Sequence, residues 1–168
     1  IDTEAPTANC IQVFQLELDA DGLAVLEVDD IDNGSTDNCT VISRSLSQTS
    51  FDCNSNSPQQ VILTIEDQSQ NIEECSTLVS IVDLIDPELE CISGILVVEL
   101  DPSGNASIDA SEVVLSNTDN CQIEELSLSQ NTFTCSDVEE LVLIQISSED
   151  DSGNISDCIV SIDVQLLR

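Results

Sequence analysis

Carboxylates and cysteines are the only residue types in this chain that are numerous enough and reactive enough to suggest chemistry. The 168 residues include 34 Asp and Glu, eight Cys, two Arg, and no Lys or His. The usual acid–base and nucleophile pairs need His, Lys or an activated Cys. The composition therefore argues against an enzyme and favours a binding or structural role.

Calcium is the cation that such a chain would bind, because Ca²⁺ takes six to eight oxygen ligands from carboxylates, amides and backbone carbonyls. The best cluster lies at 83–87, where two aspartates precede or adjoin a proline. Two acidic turns could approach this linker, and a TDNC motif adds one aspartate in each half of the chain. The candidate ligands are Asp2, Asp37, Asp67, Asp83, Asp86, Asp119, Asp150 and Asp151. A second acidic loop, 29–38, lacks the residue order of an EF-hand.

A purely structural interpretation of these acids stays open beside calcium. Asp and Asn in turns bond to their own backbone, and a solvated acidic surface keeps neighbouring molecules apart. The net charge of −32 nevertheless destabilises a compact state unless it is screened or bound. The sequence thus predicts calcium without deciding its site.

The same charge restricts the partners. Nucleic acid and anionic membranes attract Lys and Arg, and only Arg44 and Arg168 are present. No apolar run approaches the roughly 20 residues that span a bilayer. The chain opens without Met and in mid-pattern, which is typical of an internal or mature fragment. We expect neighbouring repeats of the same chain as partners, and neither nucleic acid nor membrane insertion.

The cysteines predict disulfides. Neighbouring cysteines are at least 14 residues apart and no His is present, which argues against a zinc site built from close pairs. An even, regularly spaced set is typical of disulfides made in an oxidising compartment. We therefore expect a secreted, extracellular protein. Four cysteines in a module allow three pairings, and the residues alone do not choose among them.

An internal repeat organises the chain. Four cysteines recur at offsets of 81, 82, 82 and 83 residues, and the text around them recurs as well. SLSQTSFDC at Ser45–Cys53 matches SLSQNTFTC at Ser127–Cys135. Such self-similarity is the mark of tandem modules, which we place at residues 1–83 and 84–168.

Each module has the pattern of a small all-β domain. Short runs rich in Val, Ile and Leu alternate with turn residues every 8 to 12 positions, which is typical of a β-sandwich. One such turn is the hairpin-type DADG, 19–22, in which Gly22 can take positive φ. A short linker with a proline joins the modules, so we expect them to stack end to end as a stiff rod.

The positions that recur in both repeats of the chain form a pattern that resembles a known family. The order D-x-x-x-P-x-x-x-C, L-D-x-x-G, T-D-N-C, S-x-x-x-F-x-C and D-x-S-x-N-x-x-x-C is similar to hyalin-repeat modules. The most similar variant belongs to giant surface proteins of Bacteroidota, the SprB-type gliding adhesins. The resemblance covers the whole chain, twice. It implies immunoglobulin-like sandwiches repeated along an extracellular stalk or filament on the bacterial cell surface.

The resemblance also implies a disulfide pairing. Ordinary hyalin repeats keep the first and last cysteines, which implies Cys10–Cys75 and Cys91–Cys158. The two middle cysteines of each module would then form Cys39–Cys53 and Cys121–Cys135.

Two functions are compatible with these features. The first is a non-catalytic structural and adhesive repeat, used in surface adhesion or gliding motility. The alternative is a carbohydrate-binding accessory module of a secreted protein. Surface glycans or other cell-surface proteins are further expected partners, bound through other regions of the protein. Carbohydrate modules usually stack sugars on aromatic rings, and this chain has three Phe and no Trp or Tyr.

Overall fold

The alternating residues of each repeat form β-sheets in the computed structural model of the chain, which describes residues 2–167. The chain divides into two units, Ile1–Leu84 and Ile85–Arg168. The boundary lies one residue beyond the predicted position. Both units are all-β sandwiches apart from short helical turns, so the predicted fold class is correct.

Over its described residues, 2–84, the first unit contains six strands and one short helix. Their bounds are β1 Val13–Glu17, β2 Leu23–Val25, α1 Val28–Ile31, β3 Val41–Leu46, β4 Ser50–Asp52, β5 Gln59–Asp67 and β6 Ile72–Val82. Four strands form one sheet in the order β1-β6-β5-β3, and β2 pairs with β4 in a second sheet. Strand β1 runs parallel to β6, whereas the other pairs are antiparallel. A four-stranded, mainly antiparallel sheet facing a smaller sheet is the immunoglobulin-like arrangement.

The second unit repeats this plan. Its elements are β7 Glu88–Cys91, β8 Ile95–Glu99, β9 Asn105–Ser107, α2 Ala110–Val113, β10 Val114–Thr118, β11 Ile123–Leu128, β12 Thr132–Thr134, a 3-10 turn Cys135–Asp137, β13 Leu141–Asp150 and β14 Ile155–Gln165. The sheet order β11-β13-β14-β8 and the pair β12-β9 match the first unit. An added pair, β10-β7, corresponds to two isolated bridges in the first unit, Thr7–Thr36 and Cys10–Asp32.

The core of each unit is built on its central strand. Side chains alternate between the two faces of a strand, so Val61, Leu63 and Ile65 of β5 all point inward and are fully buried. In β13 the corresponding positions include Ile144 and Ile146, which are also fully buried. Both inward rows end in a buried aspartate, at the turn that leads into the last strand.

The turn at 19–22 differs from the sequence prediction in what it connects. Gly22 has a φ of +70°, and its N–H donates to the carbonyl of Asp19 at 2.9 Å. Strands β1 and β2, however, lie in different sheets. The turn therefore carries the chain from one sheet to the other and does not close a hairpin.

Two disulfides have the pairing that the resemblance implied. Cys10 is bonded to Cys75 with a Cα–Cα distance of 5.8 Å, and Cys91 is bonded to Cys158 at 6.4 Å. Each closes a loop of more than 60 residues, and a native disulfide of this kind stabilises a small domain by roughly 2–4 kcal/mol. Cys91 and Cys158 also pack against the buried core of the second unit.

The implied pairs Cys39–Cys53 and Cys121–Cys135 are wrong for this structure, because Cys39 and Cys135 are free thiols. Cys53 and Cys121 each take part in a disulfide. The physical reason is the length of the sandwich. The second and third cysteines of a module lie at opposite ends of its strands, whereas disulfide formation needs Cα atoms within about 7 Å of each other.

The core position Phe133 offers a direct test of this packing. Its ring is fully buried in the second unit, so Phe133→Ala should lower the free energy of unfolding by about 3–5 kcal/mol. Leu143→Ala is the matched control, since this side chain is 66% exposed and should change stability by less than about 1 kcal/mol. Urea unfolding measures both. Equal effects of the two substitutions would contradict the described core.

Candidate functional site

The acidic group of the first unit lies at one end of its sandwich. Asp2, Asp37 and Cys39 each place one potential ligand atom within 4.8 Å of the others. Local backbone bonds hold both carboxylates. Asp2 Oδ1 accepts from the N–H of Glu4 at 3.0 Å, and Asp37 Oδ2 accepts from the N–H groups of Cys39 and Thr40 at 2.8 and 3.0 Å.

The other oxygen of each carboxylate has no hydrogen-bond donor among the described residues. Asp2 Oδ2 and Asp37 Oδ1 are buried atoms, and neither accepts a hydrogen bond of standard geometry from residues 2–167. The hydrogen bond from the Glu4 N–H is the main cause of the lowered pKa of Asp2, and the nearby Cys39 thiol is the next. Because these oxygens are negative, buried and unbonded, the group fits a hard cation that prefers oxygen ligands.

The same carboxylates raise the pKa of the Cys39 thiol. The neighbouring Asp2 carboxylate is the main cause of its raised pKa, and burial and then the charges of Asp37 and Asp67 add to it. A protonated thiol is a poor metal ligand and a poor nucleophile. Cys39 is therefore a weaker metal ligand and a slower nucleophile than an ordinary cysteine.

Asp67 lies beside this group but its oxygens are already engaged. It is 1% exposed, and Oδ1 accepts from the N–H groups of Ser69 and Asn71, both at 2.8 Å. Oδ2 accepts from the Asn71 side-chain amide at 2.7 Å. The same amide donates to the carbonyl of Glu4 at 3.0 Å, so this turn fastens the first residues of the chain to the sandwich. The turn-forming role left open for these aspartates is thus present here.

The second unit repeats the carboxylate with a spare buried oxygen and the buried aspartate that is hydrogen-bonded within its own turn. Asp119 Oδ2 accepts from the N–H of Cys121 at 2.8 Å, and Asp119 Oδ1 is a buried oxygen without a hydrogen bond from the described residues. Asp150 is fully buried. It accepts from Ser152 N at 2.9 Å, from Asn154 N at 2.8 Å and from Asn154 Nδ2 at 2.7 Å.

The remaining candidate ligands are spread along the chain. Asp83 is buried near the end of the first unit, whereas Asp86 is exposed. Asp151 is exposed too, and its N–H donates to the carbonyl of Gln122 at 3.1 Å. Within a single unit the structure therefore brings together Asp2 with Asp37, beside Asp67.

The first part of the acidic loop, residues 29–35, has a different role from the one considered for the loop. Residues 28–31 form a one-turn helix, α1, and the side chain of Asp32 next to it is 4% exposed. Arg44 lies 3.2 Å from Asp32 Oδ2, and Ser35 donates to Oδ1 at 2.7 Å. Burial opposes ionisation of Asp32, but these partners lower its pKa. A lone arginine in a strand of an acidic chain was the sequence signal for this ion pair.

Comparisons with known proteins concern the fold alone. No family model matches the chain, and no curated protein matches it. Among solved structures, the protocadherin GammaB4 extracellular domain has a TM-score of 0.40 at 16% identity, covering 98% of this chain and 33% of that one. The N-terminal four Ig domains of Dscam1 isoform 6.44 give 0.45 at 9%, covering 98% and 47%. Human protocadherin-24 EC1-2 gives 0.45 at 12%, covering 96% and 99%.

Alkylation of Cys39 tests the acidic group. Because the pKa of Cys39 is raised by Asp2, less thiolate is present at pH 8 than for an ordinary cysteine, and alkylation by iodoacetamide should be slow. Asp2→Asn removes the charge, lowers the pKa and should make the reaction faster.

Mass spectrometry of the alkylated peptides follows each thiol separately, and Cys135 in the same molecule is the internal control. An unchanged rate at Cys39 in the Asp2→Asn variant would contradict the described contact.

Proposed function

We propose that this chain is a non-catalytic structural and adhesive segment of a long extracellular repeat protein. The protein forms a stalk or filament at a bacterial cell surface and serves surface adhesion, including gliding. The observation that carries the proposal is the duplicated, disulfide-bonded module, in which the chain enters and leaves at opposite ends.

The path of the chain through one module supports extension. In the first unit, Asp2 lies beside the 67–71 turn, and this end is called the leading end. Strand β6 runs from that turn to Val82, where Leu18 N–H donates to the Val82 carbonyl at 2.9 Å. This second end, with the 19–22 turn, is the trailing end. Eleven residues of β6 at about 3.3 Å each separate the two ends. The chain therefore leaves the first unit at the end opposite to the one at which it enters.

The charge and the reactive groups support a non-catalytic role. Among the described residues, the ion pairs all involve Arg44, so most of the 34 acidic side chains repel one another and keep separate molecules apart. The pKa of the Cys39 thiol is raised, which is the opposite of the shift that activates a cysteine nucleophile. No helix of the described residues is long and apolar enough to cross a membrane.

The aromatic residues favour the structural role over carbohydrate binding. Phe51 and Phe133 are buried in the two cores, and Phe14 is half-buried. Sugar-binding platforms need exposed ring faces. The rings of this chain are used for packing.

Scattering from arrays of different length tests the stalk. Proteins of two, four and six modules should have maximum dimensions that grow in proportion to the number of modules, with roughly 33 Å or more added per module. Small-angle X-ray scattering and electron microscopy measure this directly. A maximum dimension that grows with the cube root of mass, which is the behaviour of a compact particle, would contradict the proposal.

Calcium belongs to this proposal as a structural cation of the leading end. In the first unit Asp2 and Asp37 would hold it, and in the second unit Asp119 would contribute. The support is the buried carboxylate oxygens without hydrogen bonds at these positions. The cation would neutralise charge there and satisfy these oxygens.

Thermal unfolding with and without chelator tests the cation. At a calcium concentration 100 times Kd, binding adds about 2.7 kcal/mol of stability, which raises the Tm of a domain of this size by several degrees. The double variant Asp37→Asn/Asp119→Asn should lose this rise. Asp21→Asn, an exposed acid in the 19–22 turn, should keep it. Identical Tm values for the unsubstituted chain in calcium and in chelator would contradict the calcium site.

A further inference from the structure

We propose that Cys39 and Cys135 form disulfides with flanking modules of the same kind, so that the modules of the array are joined covalently end to end. This inference rests on the proposed repeat array and adds a chemical bond to it. Cys39 would form a disulfide with the third cysteine of the preceding module. Cys135 would form a disulfide with the second cysteine of the following module.

The position of Cys39 fits a bond made across the leading end. The residue is exposed and precedes β3, whose first residue, Val41, pairs with Asp67 beside the 67–71 turn. Its thiol lies against Asp2, where the chain enters the module.

The third cysteine occupies the other end of the module. Cys53 follows β4, and its Sγ lies 3.6 Å from the carbonyl oxygen of Gly22, in the turn of the trailing end. In the second unit, the exposed Cys135 has its Sγ 3.9 Å from the carbonyl oxygen of Gly104. Cys135 also lines a surface depression together with Leu166 and Leu167, at the point where the chain leaves the module.

The two repeats show that both positions are suited to disulfides. Cys121 is the repeat equivalent of Cys39, and it is disulfide-bonded, whereas Cys39 is free. Cys53 is the equivalent of Cys135, and it is disulfide-bonded, whereas Cys135 is free. Each position is therefore bonded in one copy and free in the other. The free copies are the one at the leading end of the first module and the one at the trailing end of the second.

The oxidation balances with a disulfide oxidant. The S–H bonds of the two cysteines break, one S–S bond forms, and two protons and two electrons are released. A small-molecule disulfide such as oxidised glutathione accepts them through thiol–disulfide exchange and becomes two thiols. The oxidising compartment expected for this protein supplies oxidants of this class.

A tandem of two copies of the chain tests the proposal. The second copy should begin at its Asp2 directly after Gln165 of the first, because Asp83, the repeat equivalent of Asp2, directly follows Val82 at the end of β6. Both proteins are refolded in a buffer of reduced and oxidised glutathione. Free thiols are then counted by maleimide mass shift after denaturation without reduction.

The single chain should have two free thiols, Cys39 and Cys135. The tandem should also have two, not twice that number, and a peptide map should link Cys135 of the first copy to Cys39 of the second. Cys135→Ser in the first copy is the matched control, and it should raise the number of free thiols in the tandem by one.

Two results would overturn the inference. One is a tandem with twice the free thiols of the single chain. The other is a Cys39–Cys39 or Cys135–Cys135 bond between separate molecules, visible as doubled mass without reductant. An extended particle with all these thiols free would leave the proposed stalk intact while removing the disulfide. A compact particle would instead contradict the stalk.

Discussion

The alternation of side chains along β5 and β13 is the constraint on which the rest of each module depends. Every second residue of these central strands must face the core, and a shift of one residue would turn Val61, Leu63 and Ile65 toward water. Register is therefore fixed in the middle of the sheet. In each unit the neighbouring strands hydrogen-bond to the central strand. The positions of the ends of the sandwich, and of the loops found at each end, are therefore fixed as well.

The acidic residues have two distinct physical roles. Asp67 and Asp150 end the inward rows, and each accepts several hydrogen bonds from its own turn, which compensates for the burial of a charge. Asp2, Asp37 and Asp119 keep buried oxygens without such bonds. The first set is satisfied by its own turns, whereas the second set keeps buried carboxylate oxygens without hydrogen bonds from the described residues.

The cysteines divide in a similar way. The first and last cysteines of each module form a disulfide within that module. In the first unit this disulfide joins the segment before β1 to the last strand, and in the second unit it joins β7 to the last strand. The second and third lie at opposite ends of the module, too far apart to pair with each other. A small domain with few aromatic residues gains stability from the inner pair, and an array would gain stiffness from the outer pair.

The sequence by itself determined the repeat, the all-β class and the chain positions of the turns, because these depend on periodicity and local turn chemistry. It also indicated which aspartates matter, since the TDNC and D-x-S-x-N turns recur. Only the tertiary structure decided the partners of the cysteines and separated the hydrogen-bonded aspartates from those with spare oxygens. Cys39 and Cys53 are 14 residues apart in sequence but lie at opposite ends of a sandwich, and such distances depend on the packing of strands remote in sequence.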